Sequence, residues 1–171
     1  MEPSDSRQKL VQLHGEIDQR VDMIRDAHPD WLCAKGCGNC CRRLAEIPQL
    51  TAGEWAWLRQ GLALLPAGQL QQIRQAVAQL ATQVTRPITC PMLDQVNDAC
   101  PVYPHRPVAC RTYGFYVQRE LGVYCSEIEA RVAAGELAEV VWGNHDRIDR
   151  SLGKLGESRP LTEWFADWQE T

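Results

Sequence analysis

The sequence predicts a mainly α-helical protein: a small helical domain with an irregular cysteine-rich face that suits metal binding, and one short β-hairpin. Apolar residues recur at intervals of three and four along several segments, which is the spacing of a helix face buried in a core. Four of the eight cysteines lie within residues 33–41, and the other four follow a helical stretch. Two short apolar pieces around a turn, between residues 88 and 103, predict the hairpin.

The first helix is predicted from about Ser6 to Ala27. Its apolar stripe consists of Leu10, Leu13, Ile17, Val21 and Ile24. His28-Pro29 ends the helix, because proline disfavours helical backbone in the residue before it. His14 lies near the stripe, and we interpret it as a partly buried or surface imidazole rather than a ligand.

Two helices form a hairpin in the middle of the chain. Thr51 and Glu54 have the spacing of a capping box at the start of the first helix, which runs to about Leu64. The second begins near Pro66, and its apolar positions are Leu70, Ile73, Val77, Leu80 and Val84. Further helices are predicted after Pro107 (with Cys110 and Arg111), from a capping box at Ser126–Glu129 to Gly135, from Glu139 to Leu152, and in the aromatic tail from Thr162 to Gln169.

The length and charge of the chain restrict the classes of protein that it can be. We expect 171 residues to form a single domain, 1–171, with an N-terminal helix at 1–30, a cysteine-cluster core at 31–115 and C-terminal helices at 116–171. The net charge of −4 indicates no general affinity for nucleic acid, and no apolar run approaches the roughly 20 residues of a membrane helix. The first residues lack a secretory signal pattern, so we expect a cytoplasmic protein without a nucleic-acid or membrane partner.

The cysteines are the strongest functional signal. In a reducing compartment, clustered thiols are more often metal ligands or redox groups than structural disulfides. Thiolates are soft ligands that select zinc, copper(I) and iron–sulfur clusters. Cys33, Cys37 and Cys40 have ligand-like spacings, with Cys41 adjacent, and a remote cysteine would close the site. Two of the later cysteines precede a proline, which slightly favours an iron–sulfur cluster.

The first cysteine cluster is predicted to be a loop without regular secondary structure, in which Gly36 and Gly38 permit a sharp turn. Adjacent side chains diverge in extended backbone, so Cys40 and Cys41 are not expected to bind one tetrahedral ion side by side. Eight cysteines are compatible with one four-thiolate site and spare thiols, with two such sites, or with a site and a redox pair.

Two arginines are candidate cofactor-binding residues. Arg106 and Arg111 lie close to cysteines in residues 99–119, a segment without a carboxylate. Cations near thiolates lower the thiol pKa and offset the negative charge of a cysteine-ligated centre. His105 is the one histidine that we consider as a further ligand.

The order and spacing of these motifs resemble a known family. The pattern is Cys33-x3-Cys37-Gly38-x-Cys40-Cys41-Arg42, Leu50-Thr51-x-x-Glu54, Cys90-Pro91-x-Leu93 and Cys100-Pro101-x-Tyr103-x-x-Arg106-Pro107-x-x-Cys110-Arg111. It is similar, over about Trp31 to Phe115, to the YkgJ-like cysteine-cluster domain, which is described as zinc- or iron-chelating. A similar domain occurs in flagellin lysine methylases.

The resemblance implies a cytoplasmic bacterial metalloprotein that binds zinc or iron, the latter as a 4Fe-4S cluster for example. The metal ligands that it implies are Cys33, Cys37, Cys40, Cys41, Cys90, Cys100 and Cys110, with Arg106 and Arg111 as motif arginines. Cys125 lies outside the shared motif and is either an additional ligand or an incidental thiol. The first spacing has three intervening residues where the family name indicates two, which affects the role of Cys33.

Three functions are compatible with these observations. The first is a metal-binding protein that holds zinc or an iron–sulfur cluster through cysteines from both halves of the motif. The second is an iron–sulfur or redox enzyme, in protein-lysine methylation for example, and an open pocket at Arg106 or Arg111 would favour it. The third is a metal-stabilised interaction module whose tail, Trp164 to Trp168, contacts a protein partner. A tail packed in its own core would count against the third.

Overall fold

The computed structural model describes residues 3–119, 122–123 and 125–168. The helices of these residues are α1 Pro3–Ala27, α2 Asn39–Arg42, α3 Ala52–Leu62, α4 Ala67–Leu80, α5 Val108–Thr112, α6 Ser126–Ala133, α7 His145–Gly153 and α8 Leu161–Asp167. The strands are β1 Gln49–Thr51, β2 Tyr116–Gln118, β3 Gly122–Val123, β4 Gly143–Asn144 and β5 Ser158–Pro160, and a 3₁₀ turn covers Tyr103–His105. The predicted class, a mainly helical fold with short strands, is therefore confirmed.

The chain forms two compact units. Unit 1 comprises Met1–Ala34 and Val108–Leu155, and unit 2 comprises Lys35–Pro107 and Gly156–Thr171. Each unit therefore combines two separate stretches of the chain. Within the described ranges, no helix has both the length and the apolar character that crossing a bilayer requires.

The long helix α1 is the main element of unit 1. It begins three residues before the predicted start, and its apolar stripe is buried as predicted, with all five side chains at most 7% exposed. Contacts with α5 and α7 cover this helix. Beside them, β2 pairs antiparallel with β3 and parallel with β4.

Two helix starts in unit 1 differ from the prediction. Cys125 occupies the N-cap of α6 and no side chain caps this helix, so the capping box predicted at Ser126 is wrong. The helix predicted from Glu139 begins only at His145, because the Asn144 side chain accepts a hydrogen bond from the Arg147 amide at 3.0 Å. The residues just before α7 pair with β2 instead of forming a helix.

The core of unit 2 lies between α3, α4 and α8. Its buried residues are Leu50, Trp55, Leu58, Leu62, Ile73, Val77, Met92, Val102, Leu161 and Phe165. Strands β1 and β5 pair antiparallel and join the start of α3 to the start of α8. The apolar stripe of α4 ends at Leu80, and Val84, which was predicted to continue it, is 88% exposed.

The aromatic tail packs within unit 2. Phe165 is buried, and Trp164 and Trp168 pack half-buried against the same core. The Trp164 indole N–H donates to the carbonyl of Leu50 at 2.9 Å. These contacts give the interaction-module hypothesis no support. Gln169, the predicted end of the tail helix, lies outside the described residues.

The capping box of α3 forms as predicted. The Glu54 amide donates to Thr51 Oγ1 at 3.3 Å, while the Glu54 carboxylate accepts from the Thr51 amide at 2.9 Å and from its hydroxyl at 3.0 Å. Both side chains are buried, so water cannot replace these bonds.

Replacing Thr51 by valine is expected to lower the free energy of unfolding by about 1–2 kcal/mol. Valine keeps the shape of the side chain but leaves the Glu54 amide without its acceptor. Urea unfolding followed by tryptophan fluorescence measures the loss. Thr51→Ser, which keeps the hydroxyl, is the matched control, and equal losses in the two variants would contradict this role of the hydroxyl.

The hairpin predicted between Ile88 and Tyr103 is reduced to a turn. Asp94 and Ala99 form a single antiparallel bridge there. The Asp94 carboxylate accepts hydrogen bonds from the Val96 amide at 2.9 Å and from the Asn97 side chain at 2.6 Å. Side-chain hydrogen bonds therefore hold the turn in place of a strand ladder.

Candidate metal centre

All eight cysteines are free thiols. Unit 2 contains Cys37, Cys40, Cys41, Cys90 and Cys100, and unit 1 contains Cys33, Cys110 and Cys125. Seven of the eight are partly exposed, and Cys125 is buried. Thiols that remain free and partly accessible are available for binding a metal or for oxidation.

Cys40 and Cys41 lie in the short helix α2, so the prediction of an irregular loop is wrong for these two residues. The Arg42 amide donates to the carbonyl of Gly38 at 3.0 Å, which closes the helical turn. In a helix, consecutive side chains are about 100° apart instead of on opposite faces. The two side chains therefore diverge less than they would in a strand, and the Cys41 thiol acts electrostatically on that of Cys40.

Gly36 and Gly38 are required in this segment for different structural reasons. Gly36 has a φ of +97°, in the left-handed region that favours glycine. Gly38 has an ordinary φ, but a Cβ there would lie 3.0 Å from Oδ1 of Asp98. Asp98 forms an ion pair with Arg42, which links the turn before Cys100 to α2. No sequence motif had singled out Asp98. The glycine at position 38, between two cysteines, was the sequence feature that could have indicated a close contact here.

The chain segments before α3 and after α4 lie side by side in unit 2. Leu44 and Ile88 form a bridge through two backbone hydrogen bonds of 2.9 Å. The Cys90 amide donates to the carbonyl of Cys41 at 2.6 Å, and the Cys90 thiol acts electrostatically on that of Cys41. The helical hairpin α3–α4 thus returns the chain to α2 and brings together cysteines that are distant in sequence.

We call Cys40, Cys41, Cys90 and Cys100 the thiol network. Cys41 interacts electrostatically with Cys40 and with Cys90. Cys100 belongs to the network because it interacts electrostatically with both Cys40 and Cys41. All four thiols belong to unit 2.

The network favours neutral thiols in the protein alone. The hydrogen bond to Cys41, followed by burial, raises the pKa of Cys40 far above its usual value. The hydrogen bond from Cys40 lowers the pKa of Cys41, but the hydrogen bond to Cys90 and burial outweigh it and raise that pKa to about 12. Burial also raises the pKa of Cys100. A cation among these sulfurs would reverse the balance, because it stabilises thiolates.

The thiol network consists of soft sulfur donors, the ligand type that zinc and iron–sulfur clusters select. In the described part of the chain, however, no three histidine, cysteine or carboxylate side chains are arranged so that they could hold a metal ion. The residues therefore fit such a centre in ligand type, and their side chains would have to move to surround a metal ion.

Arg106 lies beside the thiol network. Its Nε donates to the carbonyl of Tyr103 at 3.0 Å, and its guanidinium lies 3.5 Å from the centre of the Tyr103 ring. Its positive charge partly offsets the rise in the pKa of Cys100 that burial causes, and it acts in the same direction on Cys40. The structure thus places this predicted residue where it can neutralise thiolate charge.

Arg111 has a different environment, in unit 1. Its side chain is 9% exposed and donates to both carboxylate oxygens of Asp18, at 2.9 and 3.0 Å. Its charge also acts on the buried His14 of α1. These contacts link α5 to α1, and a cofactor-binding role for Arg111 stays a prediction.

His105, the histidine considered as a further ligand, packs against α3. Its ring centre lies 5.2 Å from that of Trp57. A Cβ at Gly61 would lie 2.7 Å from the His105 ring, so α3 needs a glycine here for this close approach. A glycine inside a helix is normally unfavourable. The presence of Gly61 within α3 was therefore the sequence feature that could have indicated the close contact with His105.

Cys33 is positioned by contacts within unit 1. Arg25 donates to its carbonyl at 2.8 Å. Gly114 has a φ of +80°, and a Cβ there would lie 2.2 Å from the Cys33 sulfur. Gly114 is therefore required both for its backbone conformation and for the space that the sulfur occupies. Sequence reasoning did not assign this role to Gly114, although the glycine follows the Cys110-Arg111 motif closely.

Two surface clefts of unit 1 have volumes of about 220 and 520 Å³. The first lies along α1 and α7, and Trp142 and residues of β2 and α6 line the second. Neither cleft is lined by a cysteine, by Arg106 or by Arg111. These clefts give the enzyme hypothesis no support.

Comparison with known proteins identifies one match. Residues 32–128 match the family model CxxCxxCC, described as "Putative zinc- or iron-chelating domain". The matched range includes all eight cysteines, and so also Cys125, which the sequence motif had left outside. No curated protein and no solved structure matches the chain.

Proposed function

The chain belongs to the CxxCxxCC family of zinc- or iron-chelating domains, and we propose that it holds zinc or an iron–sulfur cluster through its cysteines. The observation that carries this proposal is the thiol network. These four soft donors come from both sides of the α3–α4 hairpin and interact electrostatically, and the backbones of Cys41 and Cys90 are hydrogen-bonded. Without a metal, these four thiols stay neutral because they keep their protons. A bound metal would displace the protons and stabilise the thiolates.

We propose Cys40, Cys41, Cys90 and Cys100 as the central ligands. Cys37 is a further candidate, because it lies in unit 2 just before α2. Cys33 and Cys110 remain ligand candidates on the strength of the family motif. Arg106 would offset the negative charge of the bound thiolates, since it already acts on two of them.

A metal bound by these residues would stabilise unit 2. It would join α2 to the segment 90–100 through bonds that the apolar core does not provide. Structural zinc sites contribute on the order of 10 kcal/mol to folding. Zinc would supply a closed structural site, whereas an iron–sulfur cluster would add one-electron redox chemistry.

Anaerobic purification followed by analysis of zinc, iron and acid-labile sulfide tests this proposal. We expect about one metal centre per chain: colourless protein with zinc, or brown protein with iron and sulfide. The visible spectrum separates these two results. A colourless, metal-free protein that is fully folded and does not take up either metal would overturn the proposal.

A further inference from the structure

We propose that Cys41 and Cys90 form a disulfide when the site holds no metal and a peroxide is present, so that oxidation and metal binding exclude each other. The mutual exclusion of oxidation and metal binding rests on the proposed function, because it requires a metal that is bound by the same two sulfurs. The cross-link depends only on how the protein places the two thiols.

The backbone brings these two cysteines together. The Cys90 amide donates to the carbonyl of Cys41 at 2.6 Å, and the neighbouring Leu44–Ile88 bridge holds the two segments side by side. In a strand pair, residues that exchange two such bonds have Cα atoms about 5.5 Å apart, and disulfides span about 4.4–6.8 Å. Cys41 and Cys90 share one such bond, which keeps their backbones within a comparable distance.

The side chains favour the same pair. The Cys90 thiol acts directly on the Cys41 thiol, and the hydrogen bond between their backbones brings the two residues together. Both residues are partly exposed, which gives a small oxidant access. The adjacent pair Cys40–Cys41 is a poorer candidate, because neighbouring Cα atoms are only about 3.8 Å apart, below the usual range of disulfides.

The reaction needs one molecule of hydrogen peroxide. The Cys90 sulfur attacks a peroxide oxygen, the O–O bond breaks, and water leaves with the thiol proton, which produces a sulfenic acid. The Cys41 sulfur then attacks the Cys90 sulfur, the S–O bond breaks, and a second water leaves with the Cys41 proton. The two thiols lose two electrons in total, and these electrons reduce the peroxide to two molecules of water.

The disulfide would remove two of the four donors of the thiol network. A disulfide sulfur carries no negative charge and is not a thiolate ligand. Conversely, a metal bound to both sulfurs shields them from peroxide and holds them in the reduced state. Peroxide would thus convert the metal-free protein into a form unable to bind metal, and a reductant would reverse the change.

The test compares reduced metal-free protein with the same protein loaded with zinc. Each sample is treated with one equivalent of hydrogen peroxide, its remaining thiols are alkylated in denaturant, and its peptides are identified by mass spectrometry. Trypsin leaves Cys37, Cys40 and Cys41 together in the peptide 36–42, and cleavage before Asp94 and Asp98 separates Cys90 from Cys100. We expect a cross-link between the peptides that contain Cys41 and Cys90, and at least about tenfold less of it in the zinc-loaded sample.

Three serine variants identify the sulfurs that react. Cys40→Ser should keep the cross-link, whereas Cys41→Ser and Cys90→Ser should each abolish it. A metal-free protein without this cross-link, or a dominant disulfide between other cysteines, would overturn the inference.

Zinc titration of the reduced protein distinguishes the two ways of failing. If the reduced protein binds zinc but never forms the cross-link, the inference fails and the proposed function stands. If the cross-link forms but the reduced protein binds neither zinc nor iron, the proposed function fails, and the exclusion between oxidation and metal binding fails with it.

Discussion

The Cys100→Ser variant is expected to bind metal about 100-fold more weakly than the wild type. Structural zinc sites have binding free energies of about 10–16 kcal/mol, so each of four thiolates contributes about 3 kcal/mol. A serine hydroxyl is a harder donor that keeps its proton, and it does not replace the lost thiolate. Cys41→Ser should cause a similar loss, because Cys41 interacts with the three other members of the thiol network. Competition with a chromophoric chelator, on anaerobically reduced protein, measures the affinity.

Cys125→Ser is the matched control for this experiment. Cys125 is buried at the N-cap of α6 in unit 1 and is not part of the thiol network. We expect this variant to keep the wild-type affinity, and circular dichroism should show all three variants to be folded. Equal affinities for Cys100→Ser and Cys125→Ser would show that Cys100 is not a ligand.

Acidification from pH 6.5 to pH 4 is expected to cost the protein about 3 kcal/mol of stability through His14. Burial, followed by the charge of Arg111, lowers the pKa of His14 from 6.5 to about 4, while Asp18 acts in the opposite direction. The folded protein keeps the imidazole mostly neutral until the pH approaches 4, whereas the unfolded chain takes up a proton below about pH 6.5. The contribution of His14 to the free energy of unfolding is therefore largest above pH 6.5. It decreases as the pH falls and levels off below about pH 4.

The His14→Gln variant removes the titrating group and should lose this part of the pH dependence. Urea unfolding at several values between pH 7 and pH 4 measures the difference between variant and wild type. Val11→Gln is the matched control, because Val11 lies on the same helix and is 50% exposed. The control should keep the wild-type pH dependence. If His14→Gln loses as much stability on acidification as the wild type, another group is responsible.

Elements that depend on local patterns could be predicted from the sequence. The buried stripe of α1 follows from helical periodicity, and the start of α3 follows from the spacing of Thr51 and Glu54. The starts of α6 and α7 could not be predicted in this way. Pairing of Gly143 with Tyr116 of β2 takes up the residues that would have extended α7, and this partner lies far away in the chain.

The candidate site likewise has some features that could be predicted from the sequence and others that could not. Composition and spacing identified the cysteines and the two arginines, because soft ligands in short spacings are recognisable without a structure. The helical backbone of α2, which keeps the sulfurs of Cys40 and Cys41 together, could not be inferred from a segment that contains two glycines. The different surroundings of Arg106 and Arg111 also depend on residues outside their own segment.

The sequence by itself determined that this protein is mainly helical, that it carries an ordered cysteine motif, and which family it belongs to. Only the tertiary structure decided which thiols meet. Cys41 and Cys90 are neighbours because the Leu44–Ile88 bridge and the hydrogen bond between their own backbones align two distant segments. Periodicity describes one segment at a time, whereas contacts between sulfurs depend on the pairing of segments, which only the packed chain specifies.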